Sequence, residues 1–201
     1  MNDFARRITD SRRWMTEGWS IGPPTHAEEE GGCGVTGFAC SIPVRGKHIY
    51  EPSVQMHNRG NGKGGGIAAV GLEPEALGVS REILSNDYLL QVALLQPEVR
   101  NQVEADFINP VFDVHHAEAL DHVDNFRDVE GLEARPPDAV RHFVCPKPDA
   151  LKRFAEERGL TELPERELEE EFIYQNSFQL NSKYYAALGD KAACASGICC
   201  R

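Results

Sequence analysis

Apolar residues in the first half of the chain fall into short segments separated by glycine. Residues 33–42 are small, apolar and rich in strand formers, which predicts a buried strand with Cys40 in the core. Residues 52–59 favour a short helix, because a proline and a serine stand at its start. Glycines in residues 60–66 end that helix, and the apolar run 67–72 predicts a second strand.

The second half is more acidic, and its leucines recur at helical spacing. Residues 80–134 are therefore expected to be mostly helical. Residues 140–145 predict a strand and residues 148–158 a helix that closes at glycine. Residues 171–180 suggest a further strand and 181–188 a helix. Together these last four segments predict a small β-α-β-α module.

Both ends of the chain lack a clear period. Residues 1–32 combine arginines, two prolines and an acidic run without sustained helical or strand spacing, which indicates an exposed leader. Residues 192–201 are rich in alanine and cysteine and predict no element.

Length and charge narrow the function classes. With 201 residues the chain can bury a sizeable core in one domain, or in a domain with an appendage. The formal net charge of −11 opposes binding to nucleic acid and to anionic membranes. No run approaches the roughly 20 apolar residues of a membrane helix. The six cysteines show no Cys-x-x-Cys spacing, so a reducing, cytoplasmic location is expected.

The strongest chemical feature is Cys33, which precedes Gly34 and follows the expected leader. Cleavage after Gly32 would give one residue both a thiol and a free α-amine. An α-amine titrates near pH ~8, so it can accept the proton of its own residue's thiol at physiological pH. Gly34 lets a substrate approach the backbone, and the loop 60–66 could supply N–H groups beside it.

Two segments resemble the start of a class II glutamine amidotransferase domain. They are Gly-Cys-Gly-Val-Thr-Gly-Phe at 32–38 and Met-His-Asn-Arg-Gly-Asn-Gly-Lys-Gly-Gly-Gly-Ile at 56–67. More narrowly, they are similar to the free-standing amidotransferase subunits that partner glutamate synthase-type flavoenzymes. The resemblance implies that Cys33 is the nucleophile and that Arg59 and Gly60 form the Arg-Gly pair beside the glutamine pocket.

The resemblance also implies a fold and a domain plan. The family fold is the N-terminal-nucleophile (Ntn) hydrolase αββα sandwich, here a partial one with an inserted β-α module. Residues 1–32 would be the leader or propeptide and 33–79 the start of the amidotransferase domain. Residues 80–191 would be an insertion, and 192–201 a tail, for which a change of reading frame is one hypothesis. The implied activity is glutaminase, with glutamine as substrate, ammonia passed to a glutamate synthase-like flavoenzyme subunit, and no cofactor.

Two family motifs are missing from the sequence. There is no His-Gly-Arg segment to hold the substrate carboxylate, and the only Asn-Gly pair, which the family uses in its oxyanion hole, lies early, at residues 61–62. The loss of an oxyanion-hole donor typically costs ~10²–10³ in rate. This suggests truncation or a frame change near Ala192. It leaves a second hypothesis open, namely a truncated, non-catalytic assembly module or an inactive fragment.

Other readings of single residues stay in competition. Cys33 on its own would suit a buried structural cysteine, and the loop 60–66 lacks the spacing of a P-loop. His115 and His116, with the nearby Asp121 and His122, could form a metal site. Solvated side chains are commoner in such a charged segment, so no metal is expected there.

Overall fold

A computed structural model divides the chain into two compact units, which are described separately. The first comprises Met1–Trp19 with Gly78–Arg201, and the second Ser20–Leu77. The structure describes residues 3–18, 34–57, 59, 66–121, 124–129, 135–184 and 194–199, with only the backbone of 57 and of 194–199.

The first unit is built on an antiparallel sheet. Its strands are β1 (Tyr88–Leu94), β2 (Phe112–Ala119), β3 (Asp138–Pro146) and β4 (Cys194–Cys199). They lie in the order β2-β3-β1-β4, and each strand runs antiparallel to its neighbours. Alternate residues of β1 are buried, beginning with Tyr88, so one face of the sheet is apolar and must be covered.

Helices precede the first of these strands and connect the others. They are α1 (Asp3–Ser11), α3 (Arg81–Asn86), α4 (Arg100–Val103), α5 (Pro148–Arg158) and α6 (Glu165–Tyr184). A π-helical turn, Glu104–Ile108, continues α4, and short 3-10 turns lie at Arg13–Thr16, Pro97–Val99 and Phe126–Asp128. The order β1-α4-β2-β3-α5-α6-β4 interleaves two strand-helix-strand pairs, which is the split β-α-β arrangement.

The core of this unit lies between the sheet and its helices. Phe172 of α6 packs edge-on against Phe112 of β2 and Phe154 of α5, with ring centroids 5.6 and 5.1 Å apart. Leu160, Ile173 and Leu180 are buried in the same cluster. Gly159 ends α5 in the left-handed conformation, with φ of 68°, as the glycine position predicts.

The second unit contains α2 (Tyr50–His57), preceded by the 3-10 turn Gly46–Ile49, and a further 3-10 turn, Pro74–Leu77. The helix expected over 52–59 is therefore confirmed. Both expected strands are wrong, since residues 34–42 and 67–72 form no strand and are mostly exposed. Cys40 is exposed as well, so it is not a core residue.

Several expectations about the first unit also need correction. The segment 80–134 is not mostly helical, because Leu89, Leu90 and Leu94 lie on β1, where both faces carry apolar residues and hide the two-residue period. Residues 171–180 belong to helix α6 rather than a strand. Residues 194–199 form strand β4, where no element was expected. The β3 strand and α5 match their predictions, and the mixed α/β class is confirmed.

The expectation that residues 1–32 are exposed and lack regular structure is wrong for part of their length. Asp3–Ser11 and Arg13–Thr16 are helical, and Ser11 and Met15 are buried. Phe4 and Ile8 pack against the apolar core of the first unit. None of the helices in the described part of the chain is long and apolar enough to cross a membrane.

One polar contact inside the first unit predicts an acid-sensitive stability. Burial raises the pKa of Glu104, but hydrogen bonds from Arg100 and His142 lower it by more, so the pKa lies below its ordinary value of 4.5. A depressed carboxyl pKa stabilises the folded state above the unfolded pKa, and this contribution is lost as pH falls through the folded one. Glu104→Gln should therefore lower the free energy of unfolding by about 1 kcal/mol at pH 7.

Urea denaturation between pH 3 and 7 tests this expectation. The difference between Glu104→Gln and the unsubstituted protein should shrink as pH falls below the ordinary glutamate range. The exposed Glu98 supplies a matched control, because Glu98→Gln should leave the curve unchanged. A Glu104→Gln penalty that is equal at pH 3 and pH 7 would contradict the proposed charge effect.

Candidate functional site

The residues singled out by sequence lie in the second unit. Cys33 and Gly60 fall outside the described residues. Arg59 is exposed in the turn after α2, where its backbone N–H donates to the Met56 carbonyl at 3.0 Å. Arg59, one member of the expected Arg-Gly pair, thus lies in the turn that follows the end of α2.

A close backbone approach joins the two motif segments. A Cβ atom placed on Gly34 would lie 2.8 Å from the Met56 Cβ and 3.0 Å from the Met56 carbonyl oxygen. No side chain fits in that space without a shift, so position 34 requires glycine for a packing reason. Gly34, which follows Cys33, therefore lies against Met56 in the last turn of α2. Met56 is in turn three positions before Arg59.

This contact was only partly anticipated. Gly34 was expected to let a substrate approach the backbone. In the structure, its missing side chain leaves the space that Met56 occupies. By contrast, a Cβ on Gly37 would meet nothing within 4 Å. A glycine three residues further on has no such constraint, and the sequence holds no signal that distinguishes the two.

A second cluster of reactive side chains, not expected from the sequence, lies in the first unit. Asp87 stands at the junction of α3 and β1, His115 on β2 and Cys145 near the end of β3. One ligand-type atom from each residue lies within 4.8 Å of the others. Three elements of the sheet thus bring a carboxylate, an imidazole and a thiol to one point.

The Asp87 carboxylate is the centre of this cluster. Its Oδ2 lies 2.8 Å from His115 Nδ1, and its Oδ1 lies 3.3 Å from Cys145 Sγ. The Asp87 side chain is 2% exposed and that of His115 is 49% exposed. The cluster is therefore closed on the carboxylate side and open to solvent on the imidazole side.

Local structure explains the position of each group. The Asp87 N–H donates to the Ile83 carbonyl at 2.9 Å, which holds its backbone at the end of α3. The pairing of β2 with β3 shifts between Val114 and His116, so His115 is an extra residue opposite no partner. Such a bulge redirects the side chain at that point.

The metal site considered from the sequence joined His115 to a different set of residues. One of them, His116, packs against Phe143, with ring centroids 6.0 Å apart, and does not belong to the cluster. Asp121 lies beyond the end of β2, and His122 falls outside the described residues. Asp87 and Cys145 are 28 and 30 positions from His115, and only the pairing of β3 with β1 and β2 brings them near it. No local spacing pattern could have found this set.

Comparison with known proteins adds no relative to this description. No protein-family model, curated protein or solved structure matches the chain.

Proposed function

We propose that this chain acts as a glutamine amidotransferase domain, in which Cys33 hydrolyses the side-chain amide of glutamine. The observation that carries the proposal is the contact of Gly34 with Met56. It gives a physical reason for the Cys-Gly order in one motif and connects that motif to the segment that contains Arg59.

The mechanism begins with removal of residues 1–32, which frees the α-amine of Cys33. That amine takes the thiol proton, and the sulfur attacks the amide carbon of glutamine. The C–N bond breaks, the nitrogen leaves as ammonia with the proton returned to it, and a thioester remains. Water then cleaves the thioester, giving glutamate and restoring the thiol.

Arg59 and Gly60 have supporting roles in the proposal. Arg59 is an exposed cation on the turn that follows α2, and it would lie beside the glutamine pocket, as the resemblance implies. Gly60 would let substrate approach the backbone next to that arginine. We propose the Ntn αββα sandwich as the fold of this domain, with α2 as one of its helices, and a glutamate synthase-like flavoenzyme subunit as the acceptor of ammonia.

A second candidate function is a non-catalytic assembly module that docks on the same flavoenzyme subunit. The exposure of apolar side chains in the second unit favours it, since Val35, Ile67 and Val70 are 89%, 71% and 97% exposed. Where such side chains form a continuous patch, they commonly mark a surface that a partner covers.

Intact mass and ammonia release, measured on one preparation, test the proposed function. We expect a species that lacks residues 1–32 and releases ammonia from glutamine. An uncleaved chain without glutaminase activity would overturn the catalytic proposal. If that inactive chain still captured a flavoenzyme subunit, the assembly function would replace it.

A further inference from the structure

We propose that Asp87, His115 and Cys145 bind a zinc ion. This site lies in the first unit and is independent of the chemistry proposed for Cys33. Three features of the cluster support a zinc site: the kind of ligand atoms, their spacing, and the buried charge of Asp87.

The donor set selects the metal. An imidazole nitrogen, a thiol sulfur and a carboxylate oxygen are the three ligand types that Zn²⁺ takes in proteins. Magnesium and calcium prefer oxygen ligands alone, so this mixed set suits them poorly. Three protein ligands with an open fourth position are typical of zinc sites that keep a water molecule. The half-exposed His115 leaves room for that water.

The spacing is close to what a tetrahedral ion needs. Zinc bonds of about 2.0–2.3 Å place neighbouring ligand atoms roughly 3.3–3.8 Å apart. Asp87 Oδ1 lies 3.3 Å from Cys145 Sγ, which falls in this range, and 3.0 Å from His115 Nδ1, so the oxygen-nitrogen separation must widen slightly. The three ligand atoms lie within 4.8 Å of one another, so a shift of about 1 Å at most brings the nitrogen-sulfur separation into the same range. His115 has the exposed side chain of the set, so it is the group that can move.

The buried charge of Asp87 is the second reason for a cation. Among the described residues, no lysine or arginine forms an ion pair with this 2%-exposed carboxylate. A buried carboxylate without a full counter-charge is costly, and a divalent cation supplies that charge. Metal binding releases the Cys145 proton to solvent, because the ligand is the thiolate.

The same geometry argues against a thiol nucleophile at Cys145. In a Cys-His-Asp catalytic arrangement, the imidazole lies between the thiol and the carboxylate. Here the carboxylate contacts both other groups. Loss of the thiol proton without a cation would place two negative charges about 3.3 Å apart. The arrangement therefore suits metal binding better than covalent catalysis.

Titration of the metal-free full chain with Co²⁺ tests the site. Cobalt is the spectroscopic substitute for zinc, and a cobalt-thiolate bond gives a charge-transfer band in the near ultraviolet. We expect this band to saturate at one ion per chain and to disappear when zinc is added. It should be lost in Cys145→Ser and kept in Cys33→Ser and Cys40→Ser.

Binding affinity and thermal stability give further readouts. Asp87→Asn and His115→Ala should each weaken zinc binding at least tenfold. Zinc should raise the melting temperature of the unsubstituted protein but not of Cys145→Ser, whereas magnesium at the same concentration should raise neither. Circular dichroism of the metal-free variants establishes that they fold. A band that survives in Cys145→Ser, no band at all, or stabilisation by magnesium rather than zinc would overturn the proposal.

Discussion

Replacing Cys33 by alanine should abolish ammonia release from glutamine, lowering the rate by at least roughly 10³-fold. The proposed mechanism draws both the nucleophile and the base for the first step from this one residue, and alanine leaves only the amine. The measurement is ammonia release under saturating glutamine, with intact mass recorded for each variant so that a failure of cleavage is separated from a failure of chemistry.

Cys40 provides the matched control. It belongs to the same unit, lies seven residues further along, and is exposed and not part of a disulfide. Cys40→Ala should keep full activity. If Cys33→Ala retained glutaminase activity while Cys40→Ala lost it, the nucleophile would be misassigned. If both variants kept the activity of the unsubstituted protein, a cysteine mechanism at either position would be excluded.

A pair of glycine substitutions tests the structural part of the argument. Gly34→Ala places a Cβ 2.8 Å from the Met56 Cβ, whereas Gly37→Ala meets nothing within 4 Å. Activity should fall in Gly34→Ala and stay unchanged in Gly37→Ala. Met56→Gly, combined with Gly34→Ala, should restore part of the activity, because glycine lacks the Cβ atom that lies 2.8 Å from the added one. Equal activities for the two single variants would show that the contact is unimportant.

The success of sequence reasoning differed between elements for physical reasons. Helix α5 could be predicted because its signals are local, with a proline at its start and Gly159 at its end. Strand β3 was also found, since it contains the strand formers Val140, Phe143 and Val144. Both elements are specified by residues within their own span or directly next to it.

The errors occur where tertiary packing decides. Helix α6 buries Glu171 and Gln175 along with its apolar residues, so its sequence does not show a clean amphipathic stripe. Strand β4 exists by pairing with β1, about 100 positions earlier. In residues 34–42 the reverse error arose, because strand propensity without a described pairing partner gave no strand.

The cluster of Asp87, His115 and Cys145 was missed for the same reason, because tertiary pairing brings its members together. His115 was noticed as part of a histidine pair, but the neighbours chosen for it were sequence neighbours. Its actual partners come from a helix end and from another strand, and a bulge redirects the histidine. Sequence alone identifies candidate ligand types, whereas pairing register identifies which of them meet.

The helical start of the chain bears directly on the proposed cleavage. Arg12 Nε donates to Glu171 at 2.8 Å, and Trp14 donates to Gln175 at 3.0 Å. Trp14 also packs edge-on against Phe178, with centroids 5.7 Å apart. The expected leader is thus anchored on α6, so removing it would strip partners from two buried polar groups of that helix.

Arg12→Met should therefore lower the free energy of unfolding of the first unit by about 2 kcal/mol, which is less than the roughly 3–5 kcal/mol of a fully buried pair. Glu171 is 3% exposed and loses its cationic partner, while the 40% exposure of Arg12 lets water soften the loss. The hydrogen bond to Glu171 also raises the pKa of Arg12. Urea denaturation at neutral pH measures the change.

Two further variants make the result specific. The double substitution Arg12→Met with Glu171→Met should recover most of the stability, because no unpaired charge then stays buried. Arg13→Met removes a surface partner of Asp10, with the Arg13 side chain 79% exposed, and should change stability by less than about 0.5 kcal/mol. A similar loss in Arg12→Met and Arg13→Met would show that the Glu171 contact contributes nothing special.

The same pair predicts the fate of the leader after cleavage. If a specific protease site is introduced near residue 24 and cut, the N-terminal peptide should co-elute with the rest of the chain in size-exclusion chromatography. The contacts of Arg12, Trp14 and the buried Met15 do not depend on the covalent connection. Cleaved Arg12→Met should release the peptide, whereas cleaved Arg13→Met should retain it. Release from the unsubstituted protein would mean that these contacts cannot offset the entropy of holding a separate peptide.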